Sequence, residues 1–300
     1  MSKFEVSNVL KGIRLIEAIP TSENTFTDED LVELMSMELL TQVVPLIKAA
    51  RAEFFCMSKD YEITDALRTI NIPPEAVGLS VRDVMAVYPD GTLWVIPLLD
   101  LTELPNNRNG YIVRNNQIII YHQGLPSNTI RVDYYTRPAS LSLTEHGKVL
   151  TKQAVVDPGD LFATVTLDQK PASWQATPMI NIVSKLVPFV TVDFNITIVP
   201  GAPTDTIITV PIDAFNKITV GDYLCSLDFA PVMQYVPVEA YELVKQLAAV
   251  RCLESLGDKD GWKVASSTVE KMTTSLLQMI MPRTETQHKK IQANGISNWR

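Results

Sequence analysis

Hydrophobic period changes twice along this chain, and that double change most limits what it can fold into. From Thr27 to about residue 55 the apolar residues recur at steps of three and four. From about 61 to 235 they recur at every second residue, and from Pro237 to Met281 the steps of three and four return. Helices bury one face at the first spacing and strands at the second. The pattern predicts an α+β fold. A helical bundle would be formed by both chain ends, a long N-terminal helix plus a C-terminal helical hairpin, with a large inserted antiparallel β-sandwich or barrel region. The expected divisions are 1–60 with 236–281 for the bundle, 61–140 and 141–235 for two β subdomains, and 282–300 for an extended tail.

The first helix has a strong start signal. Thr27 is an N-cap, and Asp28, Glu29 and Asp30 follow where the helix dipole favours carboxylates. Phe26 and Leu31 are spaced for a hydrophobic staple. Val32, Met35, Leu39, Val43, Leu46, Ala50 and Phe54 make one face, and Leu40, Val44 and Ile47 make a second stripe beside it. A single helix of roughly 28 residues, about 42 Å long, is expected. Pro45 has no N–H for the carbonyl of Thr41 and should kink it. Two apolar faces call for two packing partners, which makes Val43, Pro45, Leu46 and Phe54 candidate packing residues.

Near the other end, Pro237 suits a first helical position, and Leu243, Leu247, Val250 and Leu253 recur at helical steps. Gly257 can close that helix in a left-handed conformation. Trp262, Ala265, Val269, Met272, Leu276 and Met279 then alternate threes and fours as a heptad seam, and Pro282 ends it. The short link makes an antiparallel hairpin, in which Leu247, Trp262, Val269, Met272 and Leu276 are candidate packing positions.

Between the helical ends, TVDFNITIV places Val192, Phe194, Ile196 and Ile198 on one face of a strand, and TIRVDYY does the same with Ile130, Val132 and Tyr134. Asn115-Asn116 between two apolar runs reads as a two-residue hairpin turn. YPDG (88–91), NRNG (107–110) and DPGD (157–160) supply further turns.

Chemistry-bearing constellations are not evident. There is no P-loop, no GxGxxG after a strand and no GxSxG elbow. His122, His146 and His288 show no metal-ligand spacing, and Cys56, Cys225 and Cys252 are far apart and odd in number, consistent with buried thiols. Asp28, Glu29 and Asp30 are explained by the helix start. Trp94 and Trp174 would be the candidates if the β region bound glycans. No catalysis, cofactor or metal is therefore expected. The formal net charge of −8, with only a short HKK at 288–290 as a basic run, speaks against gripping DNA. No run nears the roughly 18 apolar residues of a membrane helix. The first twenty residues lack a cleavable apolar core, so neither membrane nor secretory signal is expected.

Several segments taken in order resemble the tailed-bacteriophage head-to-tail connector (adaptor, or neck ring) proteins: FTDEDLVELMSMELLTQVVPLI with its EFF, INIPPEAVGLSVRDV, VDYYTRP and the late LESLGD. The resemblance covers roughly the first 140 residues and the last helical hairpin. It implies a structural virion protein of the neck, made in the host cytoplasm, forming a homo-oligomeric ring of about twelve copies. The portal would lie above it and a tail or second adaptor ring below, with genomic DNA passing through the channel without sequence-specific binding. It implies too that residues 283–300 reach the portal, with Ile291, Ile296, Trp299 and Arg300 as docking residues, and that Val43 to Phe55 touch the next subunit. Another tail or tail-completion ring protein, or a glycan-binding virion protein, is the alternative. The sequence departs from the family at Pro74-Glu75-Ala76: a basic residue is expected after the Ile-Pro pair, and no arginine role passes to Glu75.

Overall fold

The computed structural model describes residues 4–16, 25–64, 68–99, 110–121, 128–153, 162–174, 178–200 and 206–281. Its first helix, α1 (Val6–Ile16), buries Val6, Val9, Leu10 and Ile13, which recur at helical steps. Arg14 on α1 reaches Asp28 at 2.6 Å and so fixes the start of α2 (Asp28–Glu38). There Thr27 and Asp30 form a capping box. Thr27 Oγ1 accepts from the Asp30 N–H at 3.1 Å, and the Asp30 carboxylate accepts from the Thr27 N–H at 2.8 Å. The Thr27 N–H and the Thr27 hydroxyl, which also donates to that carboxylate at 2.8 Å, hold the Asp30 carboxyl below the usual carboxylate range.

The single long helix does not form. A π turn, Leu39–Val43, follows α2, and α3 (Val44–Ala50) follows the π turn with Pro45 in its first turn. The Val44 N–H bonds to the carbonyl of Leu39, five residues back. Pro45 can neither bond the Thr41 carbonyl nor pack its ring against it, and the wider turn accommodates both failures. The wider turn also re-aims the buried stripe. Leu39, Val43 and Ile47 are completely buried at steps of four, while Leu46 is only half-buried. Helix stops at Arg51, which leaves the helical region at φ −157°. A 3-10 turn (Ala52–Phe55) then buries Phe55 and leads into the first strand, with the Phe55 carbonyl accepting from Thr136 N–H at 2.8 Å. Tertiary pairing thus overrides helical spacing over the last residues of the expected helix.

β1 (Cys56–Glu62), β2 (Thr69–Asn71), β3 (Val81–Val87), β4 (Leu93–Val95), β5 (Gly110–Arg114), β6 (Gln117–Tyr121) and β7 (Thr129–Tyr135) build the next unit. One sheet runs β1-β7-β3-β4 and the other β2-β6-β5, both antiparallel. Val84, Ile130, Val132 and Tyr134 of the first sheet share a core with Ile70, Tyr111, Ile118 and Ile120 of the second. The β5–β6 turn is Asn115-Asn116, at φ 52° and 59°, as a two-residue hairpin of this twist requires. YPDG turns between β3 and β4, with the Gly91 N–H on the Tyr88 carbonyl at 2.9 Å.

A second β unit follows: β8 (Ser140–Leu141), β9 (His146–Gln153), β10 (Phe162–Leu167), β11 (Met179–Val183), β12 (Thr191–Thr197), β13 (Val199–Pro200), β14 (Ile207–Pro211), α4 (Ile212–Lys217), β15 (Tyr223–Ser226) and β16 (Phe229–Ala230). Its sheet has the order β12-β11-β15-β9-β10-β14-β13. The two edge strands, β12 and β13, are consecutive in the chain, so the sheet curls back on itself around Val165, Ile180, Ile208 and Leu224. The expected alternation of TVDFNITIV fails in part: Ile196 and Ile198 are buried, but Val192 is exposed and Phe194 half-buried. Register shifts between β11 and β12, with Asn195 at φ 55°, rotate the first half of the strand out of phase.

α5 (Ala240–Leu256) and α6 (Lys259–Ile280) end the described chain. Pro237 precedes α5 by three residues and accepts from the Ala240 N–H instead of starting the helix. Gly257 at φ 75° donates to the Glu254 carbonyl and Asp258 to that of Leu253, which closes α5 in a Schellman motif. Asp258 then caps α6 by accepting from Gly261 N–H at 3.0 Å.

The expectation of a helical bundle formed by both chain ends is corrected by this architecture. The fold is α+β, but its helices are short and scattered along the chain, the N-terminal one is divided, and α4 lies within the β region. α5 packs against α1, α2 and α6. The same core nevertheless takes in Leu141, Val183, Phe189, Tyr223, Val232, Met233 and Tyr235 from strands and connections. Helical spacing reports that a helix has a dry face. It does not report what covers that face, and here strand and connecting residues cover much of it.

Candidate functional site

The residues expected to pack between elements fall at different depths. Val43, Leu247 and Leu276 are buried in the helix-side core, and Leu46, Phe54, Val269 and Met272 are half-buried against it. The Arg51 guanidinium lies 5.4 Å from the centre of the Phe54 ring. Pro45 is exposed. Trp262, at the start of α6, is 39% exposed and so stands at the edge of the seam, which continues through Ala265 and Leu276 to Ile280 instead of Met279. Ile291, Ile296, Trp299 and Arg300 lie outside the described residues, as do His122, His288 and the DPGD segment.

Two exposed apolar surfaces were not anticipated. β4 is an edge strand of the first sheet, and Leu93, Trp94 and Val95 are exposed along it, followed by Leu98 at 64%. Edge strands are normally blunted with charge; this one carries three apolar residues in a row. On α6, Val264 is 70% exposed, with Met279 and Met281 also exposed further along. The signal for the first was in the sequence, since LWVI is a continuous apolar run instead of an alternating one. The second was hidden by the heptad reading, which assigned Met279 to the seam.

Charge ties distant parts of the chain to one another. Glu38 of α2 is buried and accepts from Arg251 Nε of α5 at 2.7 Å, with Gln42 Nε2 donating to its other oxygen. Glu5, just before α1, accepts from Lys148 Nζ at 2.9 Å and from Tyr223 O–H at 2.7 Å, which joins the N-terminal helix to the second β unit.

Among the described residues reactive side chains do not converge. Among the described residues no group of three or more His, Cys, Asp or Glu is placed to hold a metal ion. Cys225 and Cys252 are buried and Cys56 half-buried, none in a disulfide, and burial pushes the Cys225 thiol up. His146 is half-buried on β9, and burial pushes its imidazole below its ordinary range. Trp174 is buried with its indole N–H on Ser226 Oγ at 2.9 Å, so it offers no platform to a sugar; Trp94, on the β4 edge, is exposed. Among the described residues no helix is long and apolar enough to cross a membrane. No protein-family model matches the chain, and no curated protein does.

Proposed function

We propose that the chain is a structural subunit of the head-to-tail neck of a tailed bacteriophage, assembling with copies of itself into a ring of about twelve between the portal and the tail. The observation that carries this reading is the exposed apolar run of the β4 edge, together with the exposed apolar residues near the two ends of α6. Ring closure needs a heterologous contact, in which one surface of a subunit meets a different surface of the next. Contiguous apolar exposure, as along β4, marks such contacts.

Charge supports the same reading. A subunit of net charge −8, repeated around a channel, surrounds the genome with a wall that repels phosphate and lets it slide. The segment 282–300 is the part assigned to the portal, and the ring takes no catalytic part in assembly. The purified chain mixed with its portal tests this: by mass measurement it forms a complex of many copies on the portal. A chain that stays monomeric both alone and with the portal ends the proposal. A tail or tail-completion ring is told apart by cross-links to tail proteins in place of the portal.

A further inference from the structure

A cleft of about 720 Å³ opens where the three cores meet, within the size range of ligand sites. Leu40 of the π turn, the loop 74–78, the connection that follows β7 and residues of β11 and β12 line it. Glu75 stands in this wall with its side chain only 9% exposed. Its Oε1 accepts from the Tyr134 O–H at 3.1 Å, and Lys59 Nζ is 3.8 Å from the same oxygen. Its Oε2 is buried and has no hydrogen-bond partner. A buried carboxylate oxygen left unmatched is a costly arrangement that a donor would relieve.

The neighbouring amides are already engaged with the wall. Asn181 donates to the Leu227 carbonyl at 2.9 Å and accepts from the Asn195 N–H at 3.0 Å. Gln234 accepts from the Ala139 N–H at 2.9 Å and donates to Thr191 Oγ1 at 3.2 Å. These bonds hold the cleft in shape around the one unmatched oxygen. Asp228 and Arg137 also line the cleft and are exposed.

We propose that this cleft is a binding site for a guanidinium group, the side chain of an arginine, held by the carboxylate of Glu75. Hard cations require several oxygen ligands, whereas this cleft offers one buried carboxylate. A guanidinium is weakly hydrated, tolerates burial beside a carboxylate and places several donors in one plane. Asp228 supplies a second negative charge. The site stands whatever the chain assembles into. Two sources present the group: Arg283 or Arg300 of the chain's own segment 282–300, which lies outside the described residues, or an arginine of another protein.

Ethylguanidinium titrated into the full-length chain, followed by NMR, tests the site, with ethylurea as the uncharged control. Wild type gives a saturable response confined to cleft residues, and ethylurea gives none. Glu75→Gln, which keeps the shape and removes the charge, weakens binding about tenfold or more, while Arg137→Gln retains it. Melting curves establish that each variant is folded. Should Glu75→Gln fail to fold, Asp228→Asn, at an exposed position, weakens binding by a smaller factor. No saturable response from wild type, a response to ethylurea equal to that for the cation, undiminished binding in folded Glu75→Gln or, in its place, in Asp228→Asn, or binding lost with Arg137 would overturn the proposal. A full-length variant with Arg283 and Arg300 changed to Gln identifies the source: tighter probe binding assigns the chain's own segment, and unchanged binding assigns another protein.

Discussion

Glu38, buried at the end of α2, accepts a 2.7 Å hydrogen bond from Nε of Arg251 on α5. The two residues are 213 positions apart, and their pair ties the N-terminal helices to the C-terminal hairpin. Removing one partner of such a pair strands the other charge. Arg251 is 43% exposed, so solvent offsets part of that loss. Arg251→Ala is expected to lower stability by about 2 kcal/mol, read from urea unfolding. Glu254→Ala, which removes only the exposed partner of Arg251, should stay within about 0.5 kcal/mol. Equal effects would show that the pair contributes no more than a surface contact.

α6 provides a second comparison. Leu276 is buried, whereas Met279 on the same helix is exposed. Leu276→Ala should cost about 3 kcal/mol through lost burial and the cavity it leaves. Met279→Ala should change stability by less than about 0.5 kcal/mol. A large loss at Met279 would restore the seam that heptad spacing suggests.

Gly147 on β9 has no room for a side chain. A Cβ there would lie 2.3 Å from the Gln169 carbonyl oxygen and 2.8 Å from Leu167 Cδ1. Gly147→Ala is expected to destabilise by about 1–3 kcal/mol, because backbone must move. A melting temperature within error of wild type would contradict this.

His146 gives a pH dependence. Burial is the largest influence on it and lowers its pKa; Asp168, Glu5 and Glu145 oppose that, and Lys148 reinforces it. Below the ordinary histidine range the unfolded chain therefore binds more protons at this residue than the folded chain does. Its contribution to stability is present above the unfolded pKa of about 6.5 and is lost as pH falls toward the lowered folded value. Stability followed from pH 7.5 downward should fall through this window more steeply in wild type than in His146→Gln. A steeper fall in the variant would reverse the sign.

Local chemistry was the legible part of this fold. Thr27, Asn115-Asn116 and Gly257 each carry a conformational demand that few residue types meet, so their positions identify a cap, a hairpin turn and a helix end. Pro45 announced an irregularity, but not that a π turn would absorb it and move the buried stripe to Ile47. The strand Thr191–Thr197 was visible as a strand, while the irregular pairing that turns Val192 outward depends on β11 and cannot be read from β12 alone. The bundle expectation failed for the same reason: it needed the identity of the covering residues, which come from distant segments. Glu75 meets Tyr134, 59 residues away, so the cleft had no local signature.

The β4 edge bears on assembly. Val95 is 57% exposed, so Val95→Lys should leave the melting curve of the chain unchanged while preventing the higher oligomer from forming on the portal. Sedimentation of the mixture reads this directly. Unimpaired assembly would remove β4 from the interface.

Cross-linking mass spectrometry on intact purified virions tests the neck assignment most directly. The account predicts that the chain is present in the particle, linked to copies of itself and, through Lys289 or Lys290, to the portal. Absence of the chain from purified virions, or links to tail proteins without any to the portal, would contradict it.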